Sequence, residues 1–428
     1  MTTSPATDTT SWGALPLSPG LAGLLPAGTA AVVTGQQPAL GGGPLYTLVK
    51  TAHAVALARQ VARAGRPCRA MHWVASEDHD VGEAGHADVI GRDGRLTRIS
   101  DPLGGGRASL RFRRADHGWE GLRAALDQVC GPGPGRAFID AQAPRADEDL
   151  GTWQGRLLQA CFPDLVVIQP HQLRQAGVPV LRQALEAWPR LRPALEKAGW
   201  STYFGEALEP PVFADGPAGR QALSRDQALE LLQRDPSQVS TGAGLRPVLQ
   251  QATLPVLAYV GGPGEIAYHQ ALAPWFPALG LLPPRLVPRL RANLAPSWYL
   301  RGCAGWGMDP QDPQAPAPEP TSDTALAALD QALQVLANRQ DLRGAHRRLT
   351  KIRQHTARRL RNRAHPIPAG TLVAWYRPRE TPQDRVMSTL QALWEWGPGL
   401  AEVLVQAAMT ASPGQEVLIT PSGAEPRP

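Results

Sequence analysis

An α/β fold with a mainly parallel sheet is what this sequence predicts, and three features carry the prediction. Thr29 to Thr34 is a short apolar run of strand type, and Cys68 to Ala75 (CRAMHWVA) is a second. Between them Leu45 to Ala64 places Leu48, Ala52, Val55, Ala56 and Ala62 near helical spacing. Gly65-Arg66-Pro67 then stops the helix. Strand, helix and strand in that order make a βαβ unit, whose crossover sets its two strands parallel.

The apolar runs Leu165 to Ile168 and Pro255 to Val260 predict later strands, each followed by a helical pattern. Gly91 to Arg114, with its DG and GGG turns, predicts an inserted hairpin. Beyond Met308 the composition changes, and residues 309–322 (DPQDPQAPAPEPTS) read as a proline-rich linker. Leu326, Leu329, Leu333 and Leu336 then recur at 3-4-3 spacing, and Leu349, Ile352 and Leu360 make a second stripe. That pattern predicts a short α-helical coiled-coil arm over residues 323–365. Helical sequence resumes at Asp384 to Leu404, and GQEVLIT (Gly414 to Thr420) predicts a last strand. The expected organisation is a core over 1–308, the linker, the arm, and a segment 366–428 that packs back on the core.

A chain of 428 residues with 43% hydrophobic and 19% charged content buries a large core, which excludes a disordered polymer. The first residues, MTTSPATDTTSWGALPLSPG, lack the basic and apolar regions of a secretory signal. No apolar run approaches the roughly 18 residues that span a bilayer. The expectation is a cytoplasmic protein with no membrane partner. Cys68, Cys130, Cys161 and Cys303 are scattered without a CxxC pair, so neither a disulfide framework nor a thiolate metal site is indicated.

The formal charge of +6 is local. Nine Lys or Arg residues against Asp341 alone, between Asp341 and His365, contribute +8 and leave the remainder at −2. The body therefore has no polyanion footprint, and no nucleic-acid partner is expected. A nucleic-acid-binding protein using the Arg343 to Arg363 helix is the rival reading, though no aromatics interleave its basic residues.

Three polar clusters follow predicted strands, where open α/β sheets bind ligands. The first is TGQQPALGGGPLYTLVK, Thr34 to Lys50. Its glycines let backbone approach a ligand, and the helix starting near Pro44 offers N–H groups to an anion. Gln36 and Gln37 suit hydroxyl, amide or carboxylate groups, and Tyr46 and Lys50 share a helical face. The pattern is neither a Walker A loop nor GxGxxG, and an ordinary strand-to-helix turn is the alternative.

The second cluster is Ser76-Glu77-Asp78-His79-Asp80 with His86 beyond it. Crowded carboxylates beside a histidine suit acid/base work. The same Asp78, His79, Asp80 and His86 would suit a metal-dependent hydrolase, although the spacing matches no standard zinc signature. Helix capping by these residues is the plainer option. The third cluster runs from Val260 to His269 (VGGPGEIAYH), again strand, glycine corner and helix. Glu265 falls in the helix's first turn, Tyr268 lies one turn on, and Arg285 or Arg289 can grip a carboxylate or phosphate.

Taken together, VVTGQQPALGGGPLYTLVKTAHAVALA, HWVASEDHDVGEAGHADV and LAYVGGPGEIAYHQALAPWF, with PQDRVMSTLQALWEWGPGLAEVL near the end, resemble the signature segments of the bacillithiol biosynthesis cysteine-adding enzymes, also called bacillithiol synthases. The resemblance implies a Rossmann-like core, a coiled-coil arm supporting a homodimer, and a ligase. Its implied reaction, the last step of bacillithiol synthesis, joins the carboxyl group of L-cysteine to the amine of glucosaminyl-malate. ATP with Mg²⁺ is a possible activator of the cysteine.

The family motifs fall on Thr34, Gly35, Gln36, Gln37, Gly43, Pro44, Tyr46 and Lys50, on Glu77, Asp78, His79, Asp80 and His86, and on Gly261, Gly262, Gly264, Glu265 and Tyr268. The expected roles are proton removal from the amine by Asp78, His79 or Asp80, and orientation of sugar hydroxyls and malate carboxylates by Gln36, Gln37, Tyr268 and Arg289. Two departures stand out. ALGGGP has no bulky aromatic after the leucine, where the family usually carries one, and the chain is shorter than the family around the arm.

Overall fold

The computed structural model describes residues 17, 20, 23–206, 209–314, 324–337, 339–364 and 367–426. Along the chain come β1 (Ala30–Gln36), helix α1 (Tyr46–Arg63), β2 (Cys68–Val74), the hairpin β3 (His86–Ile90) and β4 (Leu96–Ser100), and β5 (Val166–Ile168). After the helix Arg174–Lys197, β6 (Val212–Gly216), β7 (Gly219–Ala222) and β8 (Val239–Thr241) form a small antiparallel sheet. The chain then returns through β9 (Val256–Gly261) and β10 (Arg285–Pro288). A third sheet is made of β11 (Arg291–Leu294), β12 (Glu416–Thr420) and β13 (Gly423–Pro426).

The central sheet has the order β10-β9-β1-β2-β5, and every neighbouring pair is parallel. The predicted βαβ unit is its middle. Residues of β1 alternate between two cores: Ala30 and Val32 face the cluster that holds α1 and the C-terminal helices, while Ala31 and Val33 face the cluster of helix Arg174–Lys197. A parallel sheet covered on both faces needs apolar residues at consecutive positions, which is why β1 reads as an unbroken apolar run. From β1 the chain builds outward through β2 and β5, then crosses to the other side of β1 for β9 and β10. The strand order thus reverses between β1 and β9, and the crevice at such a reversal is the usual ligand site.

One expectation needs correction, and two are made more precise. The hairpin lies earlier than Gly91 to Arg114: its strands pair His86 with Ser100 through Ile90 with Leu96, and Gly91 to Arg95 is only its turn. The alternation in HADVI was hidden by the acidic cluster before it. The strand expected at Gly414 to Thr420 forms as β12, which pairs with β11 in a separate sheet and is followed by β13. The helical sequence at Asp384 to Leu404 forms Gln383–Val386, Thr389–Trp396 and the start of Leu400–Thr410, separated by extended residues around Met387 and by the Gly397-Pro398-Gly399 break.

The arm is a hairpin of helices Thr324–Ala337 and Arg343–Ala364, held in part by Arg353 on Asp330 at 2.6 Å. Leu326 is buried, yet Ile352, expected in the apolar seam, is 53% exposed. The linker at 309–322 lies largely outside the described residues, as does the side chain of Leu360. At the arm's base the indole N–H of Trp306 donates to the Ile367 carbonyl at 2.7 Å.

The segment after the arm is part of the wall around α1. The Leu45 N–H donates to the Met387 carbonyl at 2.7 Å and the Thr389 N–H to the Gly43 carbonyl at 2.8 Å. The glycine corner is folded for this contact. Gly41, Gly42 and Gly43 all have φ between 71° and 75°. A Cβ on Gly41 would stand 2.9 Å from the Ala87 Cβ and 3.2 Å from that of Ser388. Close approach at Gly41 and Gly42 is therefore to protein, and the position of the family's aromatic has no room for a ring here.

Candidate active site

A cleft of about 270 Å³ lies beyond the carboxyl ends of β1, β2 and β9, at the reversal of strand order. Gly35, Gln36, Gln37 and Tyr46 line it from the first cluster, Asp78 from the second, and Gly262, Gly264, Glu265 and Tyr268 from the third, with Arg289 beyond them. Adjoining it is a cavity of about 220 Å³ lined by His86 and also bounded by Gln36, Gln37 and Tyr46.

Between the first and third clusters the chemistry is fixed by one buried pair. Lys50 Nζ donates to both oxygens of Glu265, at 2.9 and 2.8 Å, to the Gly35 carbonyl at 2.6 Å, and to Gln36 Oε1 at 3.1 Å. Glu265 also accepts from the Gly262 N–H at 2.7 Å and the Tyr259 hydroxyl at 2.9 Å. Burial alone would raise the Glu265 carboxyl, but the Lys50 charge and these donors outweigh it and hold it below the ordinary carboxylate range. The expected ligand contact of Lys50 is thus spent inside the protein, with its side chain 1% exposed. Gln36 in turn donates to the Tyr46 hydroxyl at 3.2 Å, and burial, then Glu83 and Glu265, push that hydroxyl up to about 12, so it stays neutral.

Several residues of the sequence motifs stand outside the cleft. Thr34 donates to the Val260 carbonyl at 2.8 Å and ties β1 to β9. Gly261 holds the Arg289 N–H on its carbonyl at 2.8 Å. Glu77, buried, accepts from Arg174 at 2.8 and 2.5 Å, and the same guanidinium reaches Asp215 of β6 at 2.6 Å. Glu77 therefore anchors the small sheet. Asp80 caps the short helix Val81–Ala84 by accepting the Glu83 N–H at 3.0 Å. His79 lines neither cavity, and its Nδ1 is 3.8 Å from Asp78 Oδ1. His86 Nδ1 bonds the Gly82 carbonyl at 2.9 Å. Asp78, His79, Asp80 and His86 do not converge, and among the described residues no three His, Cys, Asp or Glu side chains are placed to hold a metal ion. The metal-dependent hydrolase reading loses its support.

The cleft also contains groups that the sequence did not single out. Glu83, at its edge, borders both cavities, and partial burial, then Asp80 and Asp78, raise its carboxyl. Arg385, from the segment after the arm, borders both as well. Arg246 Nη2 is 3.7 Å from Asp78 Oδ2, while its buried Nε has no hydrogen-bond partner among the described residues. Trp73 Nε1 and both ring nitrogens of His269 are likewise buried on the cleft without a partner. His269 stacks on Tyr259 at 4.4 Å, and burial pushes it down to about 4. Arg289 lies over the Tyr46 ring at 5.1 Å and is held by Asp384 at 2.5 Å. Tyr259 and His269 sit in the quoted third block. Arg385 lies in the segment PQDRVMSTLQ that carries part of the family resemblance, while Arg246 is a single arginine with no local signal.

A family model described as "Bacillithiol biosynthesis BshC, N-terminal Rossmann-like domain" matches residues 20–199 and 215–290. The chain belongs to the BshC family. The match contains all three clusters, so the Rossmann-like core expected from the resemblance is established. Relatives agree over longer stretches. A protein of Koribacter versatilis named "Putative cysteine ligase BshC" is 26% identical across 90% of this chain and 82% of its own length. Proteins of the same name are 34% identical in Solibacter usitatus, across 59% of this chain and 52% of theirs, and 29% identical in Symbiobacterium thermophilum, across 77% and 66%. Among the described residues no helix is long and apolar enough to cross a membrane.

Proposed function

We propose that this BshC-family chain is a ligase that joins the carboxyl group of L-cysteine to the amine of glucosaminyl-malate, the last step of bacillithiol biosynthesis. The observation that carries the reading is the composition of the cleft. Three carboxylates, Asp78, Glu83 and the Lys50-paired Glu265, and three guanidiniums, Arg246, Arg289 and Arg385, line one space at the reversal of strand order. A substrate with carboxylates, hydroxyls and an amine needs that mixture, and the relatives' name points to cysteine as the other component.

In this reading the guanidiniums hold carboxylates, Gln36, Gln37 and Tyr268 orient hydroxyls, and a carboxylate accepts the proton that the ammonium must lose before it can attack. Of the three candidate bases from the sequence only Asp78 lines the cleft. Glu83 is the better acceptor, because its raised carboxyl lies closer to neutrality and it borders both cavities. Asp78 then orients the amine and balances Arg246.

A carboxylate is a poor electrophile, and ATP with Mg²⁺ would supply an activated acyl group. The glycine corners are not built for its phosphates: the first spends its backbone on residues 387–389, and the second faces the Glu265 carboxylate. The carboxylate oxygen displaced by the amine leaves as water unless an activated acyl group carries it away, and the comparison with and without Mg-ATP distinguishes the two. Exposed Val335 and Ile352 on the arm, at 71% and 53%, support pairing with a second copy, which sedimentation of the purified protein tests.

The deciding experiment incubates the purified chain with L-cysteine and glucosaminyl-malate, with and without Mg-ATP, and follows the thiol product by mass. Product is expected. Its absence under both conditions from folded protein sinks the reading and leaves the family fold alone.

A further inference from the structure

The two adjoining cavities have different linings on either side of one partition. Gln36, Gln37, Tyr46, Glu83 and Arg385 border both. Behind them, the larger cavity ends in the buried donors left without partners, Trp73 Nε1 and Arg246 Nε, and in the unpartnered imidazole of His269. Trp73 is 1% and His269 4% exposed. Buried polar atoms are normally paired, and leaving one unpaired costs roughly 1–3 kcal/mol, so several on one wall mark the place where a ligand supplies the missing partners. The indole and guanidinium N–H groups demand acceptors such as carboxylate and hydroxyl oxygens, and the neutral imidazole of His269 takes one acceptor and one donor.

The smaller cavity is different. The carboxylate of Asp88 is consumed by Arg98, at 2.8 and 2.7 Å, and His86 by the Gly82 carbonyl. Ala39, Ala87, Val386 and Ser388 complete a wall of small or apolar side chains. Its charges are Arg385, which makes no ion pair among the described residues, and Glu83, shared with the larger cavity. A small amino acid with one carboxylate and a soft, weakly polar side chain fits such a lining.

We infer that the cavities are two subsites occupied at the same time, the larger by the sugar dicarboxylate and the smaller by the amino acid. Their reacting groups meet at the partition, the amino-acid carboxylate on Arg385 and the sugar amine on Glu83. The inference rests on the ligase reading and adds to it the division of the cleft.

Calorimetric titration of the full chain tests it with L-cysteine and glucosaminyl-malate as separate probes. Cysteine is expected to bind protein already saturated with glucosaminyl-malate. Arg246→Gln removes a charged donor from the larger subsite and should weaken glucosaminyl-malate about tenfold or more while leaving cysteine within about twofold. Val386→Trp, with His86→Phe as a second filler should the first not fold, should abolish cysteine binding and spare glucosaminyl-malate. Competition between the two ligands, or variants that weaken both alike, overturns the two-subsite assignment and leaves the ligase reading standing. Failure of the unaltered protein to bind either ligand overturns the ligase reading and this inference with it.

Discussion

Lys50 Nζ lies 2.9 and 2.8 Å from the two carboxylate oxygens of Glu265, so the helix after β1 is tied to the helix after β9 where the sheet changes direction. The pair sets the spacing of the cleft's two glycine corners. It also neutralises the charges nearest the unpartnered imidazole of His269.

Breaking that pair from one side leaves a buried charge behind. Glu265→Gln, which strands the Lys50 ammonium, should cost about 3 kcal/mol of stability. The double variant Lys50→Met with Glu265→Gln should recover much of it, because neither charge then remains. Urea unfolding curves of the three proteins check this, and equal losses in single and double variants would refute the explanation.

Gly41 is predicted to tolerate no side chain. Its φ of 71° is strained for any residue with a Cβ, and that atom would meet Ala87 at 2.9 Å. Gly41→Ala should lower stability by about 2 kcal/mol, and Gly41→Phe should prevent the segment at 387–389 from docking. Limited proteolysis after Arg385 reads the second effect directly.

Stability should fall on mild acidification. His269 and His53 are held down to about 4, each by burial first, and so is His72, to about 3. Since the unfolded imidazoles take up protons near 6.5, their contribution is complete above that pH and is lost as the pH drops from about 6.5 toward 4. Replacing His269 by Phe removes one such site without breaking a hydrogen bond. Its advantage over the parent should grow by about 3 kcal/mol between neutral pH and pH 4, as measured by chemical unfolding at each pH.

Turnover should distinguish the carboxylates of the second cluster. Glu83→Gln is expected to lower kcat about a hundredfold. Asp80→Asn should stay within about twofold, because Asn serves equally well as an N-cap. His79→Ala should also be mild, since the ring lines neither cavity. A large loss at Asp80 or His79 with little at Glu83 would return the base to the residues the sequence pattern favoured.

The parallel core was legible because its signals are local: unbroken apolar runs, a helical period between them, and glycine corners where strands stop. Placing the three clusters at one end of the sheet followed from topology alone. What sequence pattern could not separate was neighbouring residues with opposite directions. Glu77 and Asp78 are adjacent and acidic, yet one is buried against Arg174 and the other faces the cleft. Nor could it show that GGG is shaped by residues more than three hundred positions away, or that Arg385 reaches back to the partition. Those relationships are set by long-range packing and leave no periodic trace.

The hydrogen bond between Trp306 and Ile367 has a further consequence. Between these two residues, 61 positions apart in sequence, lie both helices of the arm, whose base is closed by this 2.7 Å hydrogen bond. The cost of closing such an excursion rises only with the logarithm of its length. A longer or shorter arm could therefore be carried on the same base at little entropic cost.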